Sequence, residues 1–257
     1  MDKDSIMQAL READMVLVGL GEEFDGTSYL GQDPSYQQGR QWLEKEQEGW
    51  MVPAWMEYCL DKTGREALEE AVGKLTHILE GHNYFVISVS TNRTVALAPW
   101  REGRFVAPCG TTLGKQCRKD CTQAPVPMTE GDWQALVHAF DRIGREVPDL
   151  GHCPVCGEPY VPNTVYGVRY DERGYLEDWR RYTKWLQGTV NRRLVILELG
   201  VGMRFPSVIR WPFEKIAFYN QKAFLIRVNG YLYQLTRELA GKGCGISQNA
   251  IDWLGSM

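Results

Sequence analysis

Two cysteine pairs, Cys117-x3-Cys121 and Cys153-Pro-Val-Cys156-Gly157, are the residues of this 257-residue chain whose type and spacing most directly specify chemistry. Each pair can turn two thiolates toward one ion, and two pairs complete the tetrahedral four-sulfur shell of a structural zinc site. Pro154 shapes the second turn, and Gly157 follows its last ligand, where backbone amides commonly fold back toward sulfur. Four sulfur ligands leave no open position for water, so the expected zinc is structural rather than catalytic. The other reading is a set of buried free thiols packed as small hydrophobes. It gives no reason for paired spacing beside turn residues.

The elements that would carry this module are legible as short apolar runs alternating with helical patterns, the mark of βαβ units around a parallel sheet. Strands are expected at Asp14–Gly21, Asn83–Asn92 and Arg104–Ala107, then at Leu194–Gly200 and Phe224–Asn229. Helices are expected at Ser5–Ala13, Arg65–Leu79, Tyr175–Val190 and Ser207–Lys222. Thr129 stands three residues before Asp132, a helix-capping arrangement, and Trp133, Leu136, Val137, Phe140 and Ile143 follow at helical spacing as a module core. The expected architecture is α/β: a Rossmann-like parallel sheet with helices on both faces, formed by residues 1–108 and 166–257, with a small zinc-binding module inserted at 109–165.

Composition bounds the rest. The net charge of −4 gives no electrostatic reason to expect a nucleic-acid partner, and no run approaches the roughly 18 apolar residues of a membrane span. The start, Met1-Asp2-Lys3-Asp4, is acidic and leads into an amphipathic stretch, unlike a signal peptide. Seven cysteines with four in metal spacing fit a reducing, cytoplasmic setting better than a disulfide framework.

Open α/β sheets bind ligands where strands end. Polar or glycine residues stand at four expected strand ends here: Gly19-Leu-Gly21, Thr91-Asn92, Gly200-Val-Gly202 and Asn229. Gly-x-Gly alone does not complete a dinucleotide fingerprint and serves equally well for tight turns. In this order, with the four-cysteine module between them, these features resemble the sirtuin family, and most closely its divergent macrodomain-linked bacterial branch. The resemblance is carried by Cys153-Pro-Val-Cys156-Gly-Glu-Pro-Tyr-Val-Pro-Asn163, Leu197-Glu-Leu-Gly-Val-Gly-Met-Arg-Phe-Pro206, Ile209-Arg-Trp-Pro-Phe-Glu214 and Ile226-Arg-Val-Asn229. It is good from about 83 to 230 and poor over the first 80 residues.

The resemblance implies an NAD site. Gly19 and Gly21 would lie beneath the pyrophosphate, Asn92 near the nicotinamide ribose, Gly200 and Gly202 in the loop after the fourth strand, and Asn229 against the adenosine ribose. It implies transfer of ADP-ribose from NAD to an acyl-lysine oxygen, which removes the acyl group, or to a protein acceptor. The partners implied are NAD or ADP-ribose and a modified-lysine protein, with no nucleic acid and no membrane.

The departures from the family fall on the chemistry. Phe105-Val-Ala-Pro-Cys-Gly110 places Cys109 where sirtuins carry a His base and the macrodomain-linked branch a Gln. A thiol could act there as base or nucleophile if its pKa were depressed. In Asn92-Arg93-Thr94 the expected carboxylate is replaced by Thr94. His77, His82, His138 and His152 read as structural or surface residues, His152 beside the zinc. Glu22, Glu23 and Asp25 follow the first glycines, where like charges about 5 Å from a pyrophosphate would cost some 3 kcal/mol, about a hundredfold in affinity. Two functions follow from these residues. One is a sirtuin-like NAD-dependent deacylase or ADP-ribosyltransferase with a degenerate catalytic site, in which Cys109 and Asn92 are the catalytic candidates. The other is an inactive NAD- or ADP-ribose-binding, or protein-interaction, pseudoenzyme.

Overall fold

Aliphatic runs such as Met15–Leu20 form strands whose successive side chains point to opposite faces, and here both faces are covered by helices, so the runs are apolar throughout. The computed structural model describes residues 2–46, 48–167 and 169–257. Met1, the first residue of the acidic start, lies outside the described residues.

In chain order the strands are β1 (Met15–Leu20), β2 (Tyr84–Ser88), β3 (Phe105–Val106), β4 (Gly110–Cys117), β5 (Val126–Pro127), β6 (Tyr160–Thr164), β7 (Leu194–Leu199), β8 (Ala223–Val228) and β9 (Gly243–Ile246). The helices are α1 (Lys3–Glu12), α2 (Thr27–Leu30), α3 (Pro34–Lys45), α4 (Val52–Thr63), α5 (Glu66–Ile78), α6 (Arg93–Ala96), α7 (Glu130–Phe140), α8 (Leu176–Gln187), α9 (Arg210–Tyr219) and α10 (Ala250–Gly255).

The main sheet is parallel, in the order β3-β2-β1-β7-β8-β9. Val16, Val18 and Leu20 of β1 pack with Ile6 and Leu10 of α1, Leu68 and Leu75 of α5 and Ile251 and Leu254 of α10. The opposite face, with Leu17, Phe85, Ile196 and Leu225, meets Tyr182 and Trp185 of α8 and Phe213 of α9. This is the expected Rossmann-like architecture, with strand ends trimmed by one to four residues. Gly19 lies within β1 rather than after it. A Cβ there would stand 2.5 Å from Ile209 and 2.7 Å from Phe213, so its bareness lets α9 pack closely.

The second sheet is antiparallel, in the order β5-β4-β6. Beside it α7 starts at a capping box in which Thr129 and Asp132 exchange backbone and side-chain bonds. Its core is shared with a segment the sequence reading left unassigned. Tyr36 of α3 and Ala54, Trp55, Tyr58 and Leu60 of α4 pack with Leu136, Phe140, Tyr160 and Val161, and with Cys117 and Cys153. Trp55 stacks on Tyr58 at 5.1 Å and meets Phe140 edge-on at 5.4 Å.

Candidate functional site

The chain leaves β1 toward β2 on one side of the sheet, and β7 begins the other half, so β1 and β7 flank the switch point where open α/β sheets bind ligands. Three loops converge there, after β1, β7 and β8. A Cβ on Gly21 would lie 2.2 Å from the Gly200 oxygen and the Val201 Cα, so glycine is needed for the first two loops to cross. Gly200 takes a left-handed φ of 64°, and a Cβ on it would come within 2.6 Å of the Glu23 Cβ. Gly202 faces the Glu22 carboxylate at about the same closeness, 3.1 Å from a Cβ position to Oε2.

The acidic run after β1 turns into this crevice. Glu22 accepts the Gly202 amide at 2.6 Å and the Arg204 amide at 3.1 Å. Glu23 accepts the Gly230 amide at 3.1 Å and the Ala250 amide at 2.6 Å. Burial raises the pKa of Glu23, and the neighbouring Asp252 and Glu22 charges add to the rise. Asp25 is wholly buried, which lifts its carboxyl to about 7 although it accepts the Thr91 amide at 2.9 Å.

Of the polar residues expected at strand ends, Asn229 is engaged by its own loop and by the loop after β7. It accepts the Tyr231 and Leu232 amides at 2.9 and 2.8 Å and donates to the Val201 oxygen at 3.2 Å. Asn92 caps α6 by accepting the Thr94 amide at 2.8 Å, while its buried Nδ2 has no partner. A buried donor left open is costly unless a ligand or water meets it.

Cys109 is buried, and burial, followed by the charges of Asp25 and Glu22, pushes its thiol up to about 12. Near neutral pH it is protonated, neither base nor nucleophile. None of the four histidines supplies the base: His77, His138 and His152 are exposed, and His82 precedes β2 at the opposite end of the sheet.

Sequence reasoning missed several partners. Glu57 of α4 is buried and accepts the Arg93 amide at 2.6 Å and the Thr112 hydroxyl at 3.2 Å, which brings a carboxylate beside the Asn92–Thr94 turn from a distant segment. Thr94 itself accepts from Arg65 at 2.8 Å. Arg204 donates to the Tyr166 hydroxyl. Desolvation opposes its charge, but Tyr166, Asp25 and Glu22 hold its pKa above the usual value. Below the crevice, Arg227 is buried between Glu198, at 2.6 and 2.9 Å, and Glu214, at 2.8 Å, while Arg210 donates to the Val201 oxygen at 2.8 Å. The charged residues within the family-like stretches therefore brace the loop after β7. Only contact geometry could have shown this, because the partners lie 9 to 29 positions apart in sequence.

In the second lobe the four cysteine sulfurs all lie within 4.8 Å of one another, with Cys117 and Cys156 at 3.4 Å and Cys121 and Cys153 at 3.7 Å. Tetrahedral Zn–S bonds of about 2.3 Å require sulfurs roughly 3.8 Å apart, so the donor set fits zinc. The thiols hold their protons unequally: burial raises the pKa of Cys117 and Cys121, while at Cys153 burial is outweighed by the amides of Val155 and Cys156, which lower it. Between the lobes a cavity of about 400 Å³ is lined by Val106, Gly114, Pro127, Asn163 and Tyr170.

No protein-family model matches the chain. It is similar to a protein ADP-ribosyltransferase of Staphylococcus aureus (strain Mu50 / ATCC 700699), with 22% identity over 254 residues, 90% of this chain and 79% of that protein. It is also similar to a probable bifunctional ADP-ribose hydrolase/ADP-ribosyltransferase of Fusarium oxysporum f. sp. cubense, with 28% identity over 155 residues, 58% of this chain and 26% of the relative. Among solved structures, one from a study of sirtuin substrate affinity superposes with a TM-score of 0.59 at 13% identity, covering 99% of this chain and 97% of that one. A structure of Sir2 with a peptide and NAD+ gives 0.56 at 13% identity, over 99% and 96%. At such identities the likeness establishes the fold, which is that of the sirtuins.

Proposed function

We propose that this divergent sirtuin-like chain is an NAD-dependent protein-modifying enzyme, an ADP-ribosyltransferase or deacylase with a degenerate catalytic site. The observation that carries this reading is the similarity to a protein ADP-ribosyltransferase over 90% of the chain; beside it, in the loop after β2, the Asn92 Nδ2 is left buried and unpartnered. That open donor fits a polar ligand such as the ribose of a nucleotide. The inactive pseudoenzyme is not favoured, because the likeness spans nearly the whole chain rather than one half of the sheet.

Bound NAD would supply the nicotinamide–ribose bond whose cleavage releases ADP-ribose for transfer. Asn92 would donate to the ribose end. Gly200 and Gly202 would let the backbone approach the phosphates, and Asn229, through its bond to the Val201 oxygen, would hold that loop in place. Cys109 lines the site as a protonated thiol. ADP-ribosyl transfer is the better supported activity, since both relatives carry that name and no base stands at the Cys109 position. Structural zinc on Cys117, Cys121, Cys153 and Cys156 would hold the second lobe, and the interlobe cavity would receive a protein segment. Among the described residues no helix is long and apolar enough to cross a membrane, and the reduced four-cysteine cluster suits a cytoplasmic setting.

Nicotinamide release from millimolar NAD, followed by calorimetric titration of ADP-ribose into the same protein, tests the reading. Release above the rate in buffer is expected. No release would sink it, and ADP-ribose binding without release would establish the inactive binding protein instead.

A further inference from the structure

Four backbone amides, those of Gly202 and Arg204 after β7, Gly230 after β8 and Ala250 at the start of α10, converge on the carboxylates of two consecutive residues. Glu22 takes the first two at 2.6 and 3.1 Å, and Glu23 takes the others at 3.1 and 2.6 Å. Backbone amides presented at the ends of parallel strands are the donors on which α/β proteins hold phosphate. A carboxylate offers paired anionic acceptors as a phosphate does. The glycines leave no side chain in between: Cβ positions on Gly200 and Gly202 would fall 2.6 Å from the Glu23 Cβ and 3.1 Å from the Glu22 Oε2.

We propose that Glu22 and Glu23 are specificity-determining residues of this crevice, internal anions that hold the donors a pyrophosphate would use and that a dinucleotide must displace. The proposal rests on the reading of the crevice as an NAD site. A loop brace alone would need neither two charges nor their placement beside a third acid. Here burial raises the cost of the Glu23 charge most, and the neighbouring Asp252 and Glu22 charges add to it. Arg204 is the cation at hand, and its backbone amide is already engaged by Glu22 while its guanidinium donates to Tyr166. A ligand that brings two phosphates therefore meets satisfied donors and like charge at once. A ligand without phosphate meets neither obstacle.

The test is calorimetric titration of ADP-ribose and of adenosine into the wild-type protein and two double variants. Glu22→Gln with Glu23→Gln keeps acceptor oxygens and removes charge. Glu22→Ala with Glu23→Ala also frees the four amides. Matching circular-dichroism melts of the Gln pair confirm folding, which keeps the experiment decisive should the Ala pair fail to fold. ADP-ribose affinity should rise about 100-fold or more in the variants, from removal of two like charges at about 5 Å, while adenosine affinity stays within about twofold. If the wild type binds ADP-ribose and the folded variants bind it no tighter, the internal-anion proposal is overturned and the nucleotide site stands. If neither wild type nor variants bind ADP-ribose at millimolar concentration, the nucleotide reading falls and takes this proposal with it. An equal gain for adenosine would also overturn it, because the effect would then not act through phosphate.

Discussion

The Asp25 carboxylate accepts the Thr91 amide proton at 2.9 Å and so ties the loop after β1 to the loop after β2, one residue from Asn92. Because the group is fully buried, desolvation lifts its pKa from near 4 to about 7. An acid whose folded pKa is raised binds more protons folded than unfolded between those two values. Its contribution is therefore fully present below about pH 4 and is lost as pH rises to about 7, at most some 4 kcal/mol. Asp25→Asn keeps an oxygen for Thr91 and cannot ionise. Relative to wild type, the variant should gain stability progressively between pH 4 and pH 7, by several degrees of melting temperature at pH 8. Parallel melting curves for the two proteins across that range would show that Asp25 does not titrate as stated.

The four-cysteine cluster makes the second lobe dependent on metal. Cys117 and Cys153 belong to the same core as Trp55, Tyr58 and Phe140, so loss of the ion loosens α3 and α4 as well as the module. Structural-metal binding energy is folding energy. Cys153→Ser, or incubation with a strong chelator, should lower the melting temperature by about 10 °C or more. Elemental analysis of protein purified without chelator should find one zinc per chain, and its absence would remove the assignment.

Gly21 stands where two backbones touch. A methyl group there would meet the Gly200 oxygen and the Val201 Cα at 2.2 Å, and neither is a flexible side chain that can move aside. Gly21→Ala should cost about 2 kcal/mol or more by overpacking and should weaken ADP-ribose binding, since the loops must part. Urea melts within 0.5 kcal/mol of wild type would show that the loops yield freely.

Arg227 is 1% exposed and Glu198 is 0% exposed, so the pair is deep in the sheet. Arg227→Leu removes the cation, leaving Glu214 without this partner and Glu198 with only the longer contact to Arg210 at 3.5 Å, which should cost about 3 kcal/mol. Glu198→Gln in the same background should recover part of the loss by removing the buried charge. If the second substitution recovers nothing, the network is not electrostatically coupled.

How legible these sites were depended on how local their signals are. The cysteine turns, the apolar runs of β1 and β7 and the capping residues of α7 are contiguous patterns, and each proved to be an element. The α4 segment was not legible. Pro53 to Leu60 are all buried, so no polar stripe marks a helical period. β9, Gly-Cys-Gly-Ile, carries only one branched residue, Ile246, too few to mark a strand, and the backbone oxygens of Leu225 and Tyr233 crowd both of its glycines. The order of glycines pointed to the switch point, but the direction taken by Glu22 and Glu23 depends on amides some 180 to 230 residues away. For the same reason Glu57, which supplies the carboxylate beside Thr94, could not be found from the Asn92-Arg93-Thr94 motif.

The last expectation concerns Cys109. The resemblance to sirtuins aligns it with their general base, yet its thiol is buried and pushed up to about 12, so near pH 7 the thiolate is a negligible fraction. Loss of a positioned base typically costs about 10²–10⁴-fold in a step that needs one. Lysine deacylation is therefore expected to be slower than ordinary sirtuin catalysis by about that factor, and Cys109→Ala should leave nicotinamide release unchanged within about twofold. Cys109→His is the informative converse. It places an imidazole among Asp25, Tyr166 and Tyr170, whose ionisation is already linked to the thiol's position. If the surrounding site is otherwise competent, deacylation should rise and acquire a dependence on a group titrating near neutrality. Should Cys109→Ala abolish nicotinamide release while the protein remains folded, the thiol acts directly, and the burial argument made here for its inertness is wrong.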